Sequence, residues 1–444
     1  MVGAMLGLRR FVGWIWREYR LPISLWALGL WSVGSSATAQ EFQTASSPTF
    51  DKWMYPFEFG TGGTRPVAPT FASFDPRFDT RDAQFLMGWK TESWVQVGLP
   101  ASRYILSKVR LSVSVSADQT FIYDPTFDSY RTYLETNEIA WTRDEDGGRP
   151  VEIFGTGFRN GLTAEIYASE SPYGPVGGFT SDTISVGTRN AFAAVYDTQG
   201  SLIDTSNHVG QRNANWTNAP FEAVPWAVGL TGQATPGALV PVNSIFTFDL
   251  DLSDPLIAGY LGRALSAGTL DLVLSSLSPA QQVTPGGTGF GGLGSYPQWS
   301  TRENLLFNGP LLEVEGTVIR DTDSDADGLP DDWERLFFGD LSAAGTGDAD
   351  GDGLLNQEEF IAGTDPRSVK SAFRLTLGGP PLQTELSFQF APGRRYVVEQ
   401  SEDLFRWILA AGQLSYPSRG VGLWKADVQP ASSLFYRVRV DEIR

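Results

Sequence analysis

The sequence predicts a mainly β protein: an antiparallel, jelly-roll-like β-sandwich, a short acidic segment after it, and a small C-terminal β-sandwich. Three observations carry this. Apolar and polar residues alternate over many short runs, Gly, Pro and Asn turn signals separate those runs, and negative charge is concentrated in one place. At 444 residues the chain is long enough for two or three domains, each burying its own core.

Residues 1–39 read as an export signal. Arg9, Arg10, Arg17 and Arg20 precede an apolar run over 21–34 and a small-residue stretch ending at Ala39, after which cleavage is expected. The run falls short of the roughly 20 apolar residues of a spanning helix, so the mature chain is expected to be secreted or at the cell surface, without a membrane span. Residues 40–84 carry turn signals such as Gly60-Thr61-Gly62-Gly63 and read as a linker or edge segment, in which Trp53, Tyr55, Phe57 and Phe59 alternate as an edge strand would.

The main sandwich is expected over 85–319. Val109, Leu111, Val113 and Val115 interleave with Arg110, Ser112, Ser114 and Ser116, and Phe246, Phe248, Leu250 and Leu252 with Thr247, Asp249 and Asp251. Leu270, Leu272 and Leu274 repeat the pattern, and half-buried strands of this kind argue for antiparallel pairing. One helix interrupts them over 254–267, where Leu256, Ile257, Tyr260, Leu261 and Ala264 share a face. The Gly-rich stretch 284–292 lacks a following Lys-Ser and a helix start, so it reads as a loop and not as a phosphate cradle. Period two returns in 371–444 with Leu386, Phe388 and Phe390, then Tyr396 and Val398, then Tyr436, Val438 and Val440, as in a small sandwich.

Composition removes whole classes of chemistry. The chain has no cysteine, which excludes disulfides, thiolate zinc and cysteine nucleophiles, and one histidine, His208, which excludes multi-histidine metal centres. No basic stripe exists to neutralise phosphates, so nucleic acid is not an expected partner. A Gly-x-Ser-x-Gly elbow is absent. Residues 321–366 hold fourteen Asp or Glu against one Arg, a local charge of −13 that leaves only −5 of the chain's −18 for everything else. Charge crowded in this way repels itself unless a cation is present.

Within 320–370 two stretches share one template. Asp323, Asp325, Asp327, Asp331 and Glu334 stand at loop positions one, three, five, nine and twelve, and Asp348, Asp350, Asp352, Asn356 and Glu359 repeat the order. Gly328 and Gly353 fill position six, where the chain must turn sharply. This is the spacing of an EF-hand-like calcium segment: a hard cation taking 6–8 oxygens at about 2.3–2.6 Å is wrapped by one short loop. The carbonyls of Leu329 and Leu354 would serve position seven, Asp331 and Asn356 would act directly or through water at nine, and Glu334 and Glu359 would close the shell with both oxygens, so two Ca2+ sites are expected. A helix should leave each loop, one carrying Trp333, Leu336 and Phe337 after Pro330, the other Phe360 and Ile361 before Gly363.

The segment resembles the thrombospondin type 3 repeats and, more loosely, dockerin-type EF-hand-like loops of secreted bacterial surface proteins. The resemblance implies calcium ligation by the residues just named, with Asp321 and Asp365 as auxiliary ligands. No entering helix precedes Asp323, and Pro330 lacks the N–H that bridges paired EF-hand loops, so a structural role is expected over a switch. Residues 85–319 resemble, less specifically, DNRLRE-type and carbohydrate-binding-module-like sandwiches, through Asp79-Thr80-Arg81-Asp82-Ala83-Gln84 and Lys108-Val109-Arg110-Leu111.

The functional expectation is a non-catalytic, calcium-stabilised structural, adhesion or glycan-binding protein, with a polysaccharide or a cell-surface or matrix component as partner. Two alternatives stand beside it. One is a secreted glycan-active enzyme using a carboxylate pair, for which Glu135, Glu138, Asp144, Glu145 and Asp146 are candidates although the last three read as a solvated turn. The other is a dockerin-like assembly module.

Overall fold

Alternating valines and leucines fix the centre of the molecule. In the computed structural model, which describes residues 39–55, 65–73, 79–159, 161, 163, 190–210, 219–280, 296–379, 383–427 and 434–443, the protein is mainly β with antiparallel sheets. One sheet of the main sandwich runs Gln40–Ser46, Leu311–Val318, Tyr104–Ser114, Ile245–Asp249. The other runs Phe50–Met54, Gln84–Lys90, Thr269–Ser276, Val151–Phe158, Ala191–Tyr196, Leu202–Asp204, with Ala227–Val228 paired to Val151–Phe158. Residues 40–54 thus supply an edge strand to each sheet, and Gln40 to Ser46 stays in register with Val318 to Leu312. The remaining aromatics of that stretch, Phe57 and Phe59, residues 1–38 of the expected export signal 1–39, and the Gly-rich 284–292 lie outside the described residues.

Val109, Leu111 and Val113 share one core with Phe85, Met87, Trp89, Leu270, Leu272 and Leu274 of the opposite sheet, around a fully buried Trp299. The second sheet is buried on its outer face too, where Leu86, Phe154 and Val273 meet Phe50, Met54 and Val195. This differs from the expected dry and wet faces: Asp271 and Ser275, which alternate with the core leucines, are both buried.

Helix α1, Pro255–Ala267, starts where Asp254 accepts the Leu256 N–H at 2.9 Å and ends at Gly268 with φ +81°. Its Gly262 lies so close to the Ala101 carbonyl that a Cβ would stand 2.4 Å from the oxygen. The C-terminal sandwich has one sheet of Thr376–Gly378, Glu385–Gln389, Val421–Ala426 and Gly412–Ser418 and another of Ile408–Leu409, Arg394–Ser401 and Phe435–Glu442. Leu386, Val398 and Trp424 fill it, and Phe388, Phe390 and Tyr396 pack with Leu256 of α1. Residues 38–444 form a single compact unit. Among the described residues no helix is long and apolar enough to cross a membrane.

Candidate metal centre

Strand Leu311–Val318 runs directly into the acidic segment. Both twelve-residue loops adopt the same backbone: Ala326 and Gly328 in the first, and Gly351 and Gly353 in the second, have φ of +60°, +96°, +78° and +99°, at loop positions four and six. The left-handed turns let backbone N–H groups point inward at the aspartates. Gly328 N–H donates to Asp323 Oδ2 at 3.1 Å and Gly353 N–H to Asp348 Oδ2 at 3.0 Å. Leu329 N–H reaches Asp327 Oδ1 at 2.9 Å and Leu354 N–H reaches Asp352 Oδ1 at 2.8 Å.

Short helices follow, α2 at Asp331–Phe337 and α3 at Asn356–Ala362. Each swings its glutamate back under its loop. Asp323, Asp325 and Asp327 bring one oxygen apiece within 4.8 Å of one another, and so do Asp348, Asp350 and Asp352, so each group could hold a metal ion. Oxygens on opposite sides of a calcium shell are at most about 4.6–5.2 Å apart, which accommodates this spacing.

The fit is sharper at the twelfth position. Glu334 and Glu359 are fully buried, and neither Glu334 oxygen nor Glu359 Oε2 has a hydrogen-bond partner. Burial first, then the charges of Asp325, Asp327, Asp331 and Asp323, push the Glu334 carboxyl up to about 7. Glu359 is likewise raised to about 7 by burial and by Asp350, Asp352 and Asp348, against a hydrogen bond from Thr364. Asp350 Oδ2, Asp352 Oδ2 and Asn356 Oδ1 are also buried without a partner. Buried oxygens are nearly always satisfied, so a cluster of orphaned acceptors fits a bound cation.

Other expected ligands also make contacts within the protein. Asp331 Oδ1 accepts from Ser324 N–H and its Oδ2 from Ser324 Oγ, both at 2.7 Å, and Arg335 lies 3.2 Å from Oδ2, so the residue braces the loop. The auxiliary Asp321 pairs with Arg103 at 3.4 Å and Asp365 with Arg367 at 3.6 Å. Leu329 packs its side chain with Ile319, Trp333 and Phe360, while the expected apolar positions Leu336 and Ile361 face solvent. Both loops are tied to the connection between them: Gly345 N–H donates to Asp327 Oδ2, and Asn356 Nδ2 to the Ala344 carbonyl at 2.8 Å.

The segment is stitched to both sandwiches. Buried Arg103 forks onto Glu442 at 2.7 and 3.0 Å, reaches Asp321, and lays its guanidinium 4.4 Å from the Phe360 ring centroid. Arg320 grips buried Asp332 at 2.7 and 2.9 Å, and Arg394 donates to the carbonyls of Ile361 and Phe360 at 2.7 and 3.0 Å.

Sequence reasoning missed a third carboxylate group, Asp124, Asp128 and Asp146, whose members come together only through folding. His208 is buried, its Nδ1 sits 3.0 Å from the Thr205 carbonyl, and burial holds its pKa well below the usual value, as for a neutral core histidine. Glu135, Glu138 and Glu145 are exposed, while Asp144 is bound to Arg149 at 2.9 Å. Compared with known proteins, the chain matches no family model, no curated protein and no solved structure.

Proposed function

We propose that the protein is an exported, non-catalytic adhesion or glycan-binding protein in which two calcium ions, one per acidic loop, rigidify the clamp between its two sandwiches. The observation that carries the reading is Glu334: a carboxylate with no exposed surface and no protein partner, held beside three aspartates. A calcium ion supplies the missing positive charge and takes both oxygens. Because α2 and α3 carry Trp333 and Phe360 into one apolar cluster beside Arg103, loop closure and docking are the same event. Affinities of about 10⁻⁴–10⁻³ M suffice outside a cell.

Two surfaces support a contact role. A cleft of about 380 Å3 between the sandwiches is lined by Tyr196, Trp226, Leu256 and Tyr416 together with Glu222, Asp251 and Asp254. Its carboxylates are already engaged: Asp254 caps α1, Asp251 pairs with Arg419 at 2.6 Å, Asp197 of the same lining accepts from the N–H groups of Gln199 and Ser201 at 2.9 and 2.8 Å, and Glu222 accepts from Ser129 Oγ at 2.5 Å. That favours binding over carboxylate-pair hydrolysis. At the far side of the C-terminal sandwich Phe405, Ile408, Leu409 and Phe435 are exposed, an apolar rim suited to another surface.

The test is a thermal melt and limited proteolysis of the full chain in calcium and in chelator. Each site held at 100 times its Kd should contribute about 2.7 kcal/mol, seen as a higher melting temperature and slower cleavage within 320–370. Identical melts and identical cleavage in the two conditions would remove the calcium reading. Retention of the chain on insoluble polysaccharides checks the contact role.

A further inference from the structure

We propose that Asp124, Asp128 and Asp146 form a third site for a hard divalent cation such as calcium, in the connection from strand Tyr104–Ser114 to strand Val151–Phe158 of the main sandwich. One oxygen from each carboxylate lies within 4.8 Å of the others. Oxygens on opposite sides of a calcium shell are up to about 4.6–5.2 Å apart, which accommodates this spacing.

The second observation is the state of Asp124. It is 3% exposed, and its Oδ2 has no hydrogen-bond partner. Its other oxygen accepts from Thr126 N–H at 2.9 Å and faces Thr126 Oγ1 at 2.8 Å, while that same hydroxyl lies 2.7 Å from Asp146 Oδ2. One hydroxyl has one proton, so it satisfies one of the two carboxylates. The neighbouring cation does not fill the gap: Arg149 Nη1 is spent on Asp128 and Asp144 at 2.7 and 2.9 Å, with the guanidinium 4.0 Å from the centroid of the Tyr133 ring. The group is therefore short of positive charge and of donors at one point.

The backbone holds that point in place. Tyr123 sets its ring edge-on to Phe246 at 5.6 Å, and its N–H donates to the Ala238 carbonyl at 2.8 Å. Gly148, at φ +115°, closes the turn so tightly that a Cβ would stand 3.0 Å from the Ile122 carbonyl and 3.1 Å from Asp124 Cβ. Asp146 is carried over Asp124 by that turn, and its exposed side chain leaves an entry for the ion.

The experiment counts calcium per chain by equilibrium dialysis with the full chain, the Asp146→Asn variant, the Glu334→Gln/Glu359→Gln variant and the triple variant. Asp146→Asn should lose one ion, the double variant should keep one, and the triple variant should keep none. Terbium added to the double variant should show emission excited through Tyr133, whose hydroxyl lies 3.0 Å from Asp128 Oδ2, and Asp146→Asn should abolish it. Asp124→Asn serves as a second probe should Asp146→Asn alter the circular dichroism spectrum. An unchanged ion count in both Asn variants, or no ion and no emission in the double variant, overturns the proposal. Failure of the acidic repeats instead appears as a double variant that loses nothing relative to the full chain.

Discussion

The main sandwich and the acidic segment solve the problem of buried charge in opposite ways. In the sandwich, buried Glu152 meets buried Arg81 at 2.6 Å, and the Arg81 guanidinium lies 4.8 Å from the Phe154 ring centroid. In the segment, buried Glu334 and Glu359 have carboxylates and no cation beside them, and only Glu359 gains a hydroxyl, from Thr364 at 3.1 Å. In the first region the charge of Glu152 is balanced by a side chain of the sandwich itself, and the region's stability comes from apolar burial around Trp299 and Leu272. The second has a small apolar cluster of Ile319, Leu329, Trp333 and Phe360 set against many unpaired charges, so its order is tied to the medium.

The largest effect that sharpens this contrast is expected in the sandwich. Leu272→Ala removes a fully buried side chain from between the two sheets and should cost about 2–5 kcal/mol in urea unfolding. The loss should be the same in calcium and in chelator, because nothing around Leu272 touches the acidic loops. A calcium-dependent loss would mean that the two regions are not energetically separate.

The next effect should change sign with the medium. Glu334→Gln keeps the shape of the side chain and removes a buried, unpartnered charge, so in chelator the variant should melt at or above the parent. In calcium it loses a ligand that would take both oxygens, and should forfeit about 2.7 kcal/mol at an ion concentration 100 times the parent's Kd. Two melting curves that keep the same order in both media would break the comparison.

How much of this was legible in the sequence follows the same division. The acidic loops were legible because their carboxylates lie within twelve consecutive residues each, and a local template needs no fold to be read. The strands around Val109 and Phe246 were legible because period two is also local. The outer face of the second sheet was not: Asp271 and Ser275 look like solvent-facing positions, and only chain from distant segments buries them. The Asp124, Asp128 and Asp146 group was missed for that reason too. Its members stand on two limbs of one long connection, and residues 144–146 carry the composition of an ordinary solvated turn. Spacing placed Asp331 at loop position nine but does not reveal that Ser324 and Arg335 also hold it.

The smallest predicted effect lies at the seam between the regions. Burial alone would raise the Glu442 carboxyl, but hydrogen bonds from Arg103 and Ser102 outweigh it and hold the group below the usual glutamate range. A carboxyl whose folded pKa is depressed contributes stability above its unfolded value, near 4.5, and that contribution is lost as the pH falls through the folded pKa. Glu442→Gln should therefore cost about 1.5 kcal/mol at neutral pH, in the range of a hydrogen bond to a charged group, and progressively less in acid. Arg103 would keep Asp321 and the Phe360 ring as partners, so the penalty should stay below that of Leu272→Ala. If calcium stiffens the clamp through this junction, the variant should also show a smaller calcium-induced rise in melting temperature than the parent. An equal rise would place the stiffening in the loops alone, with the seam as a passive contact.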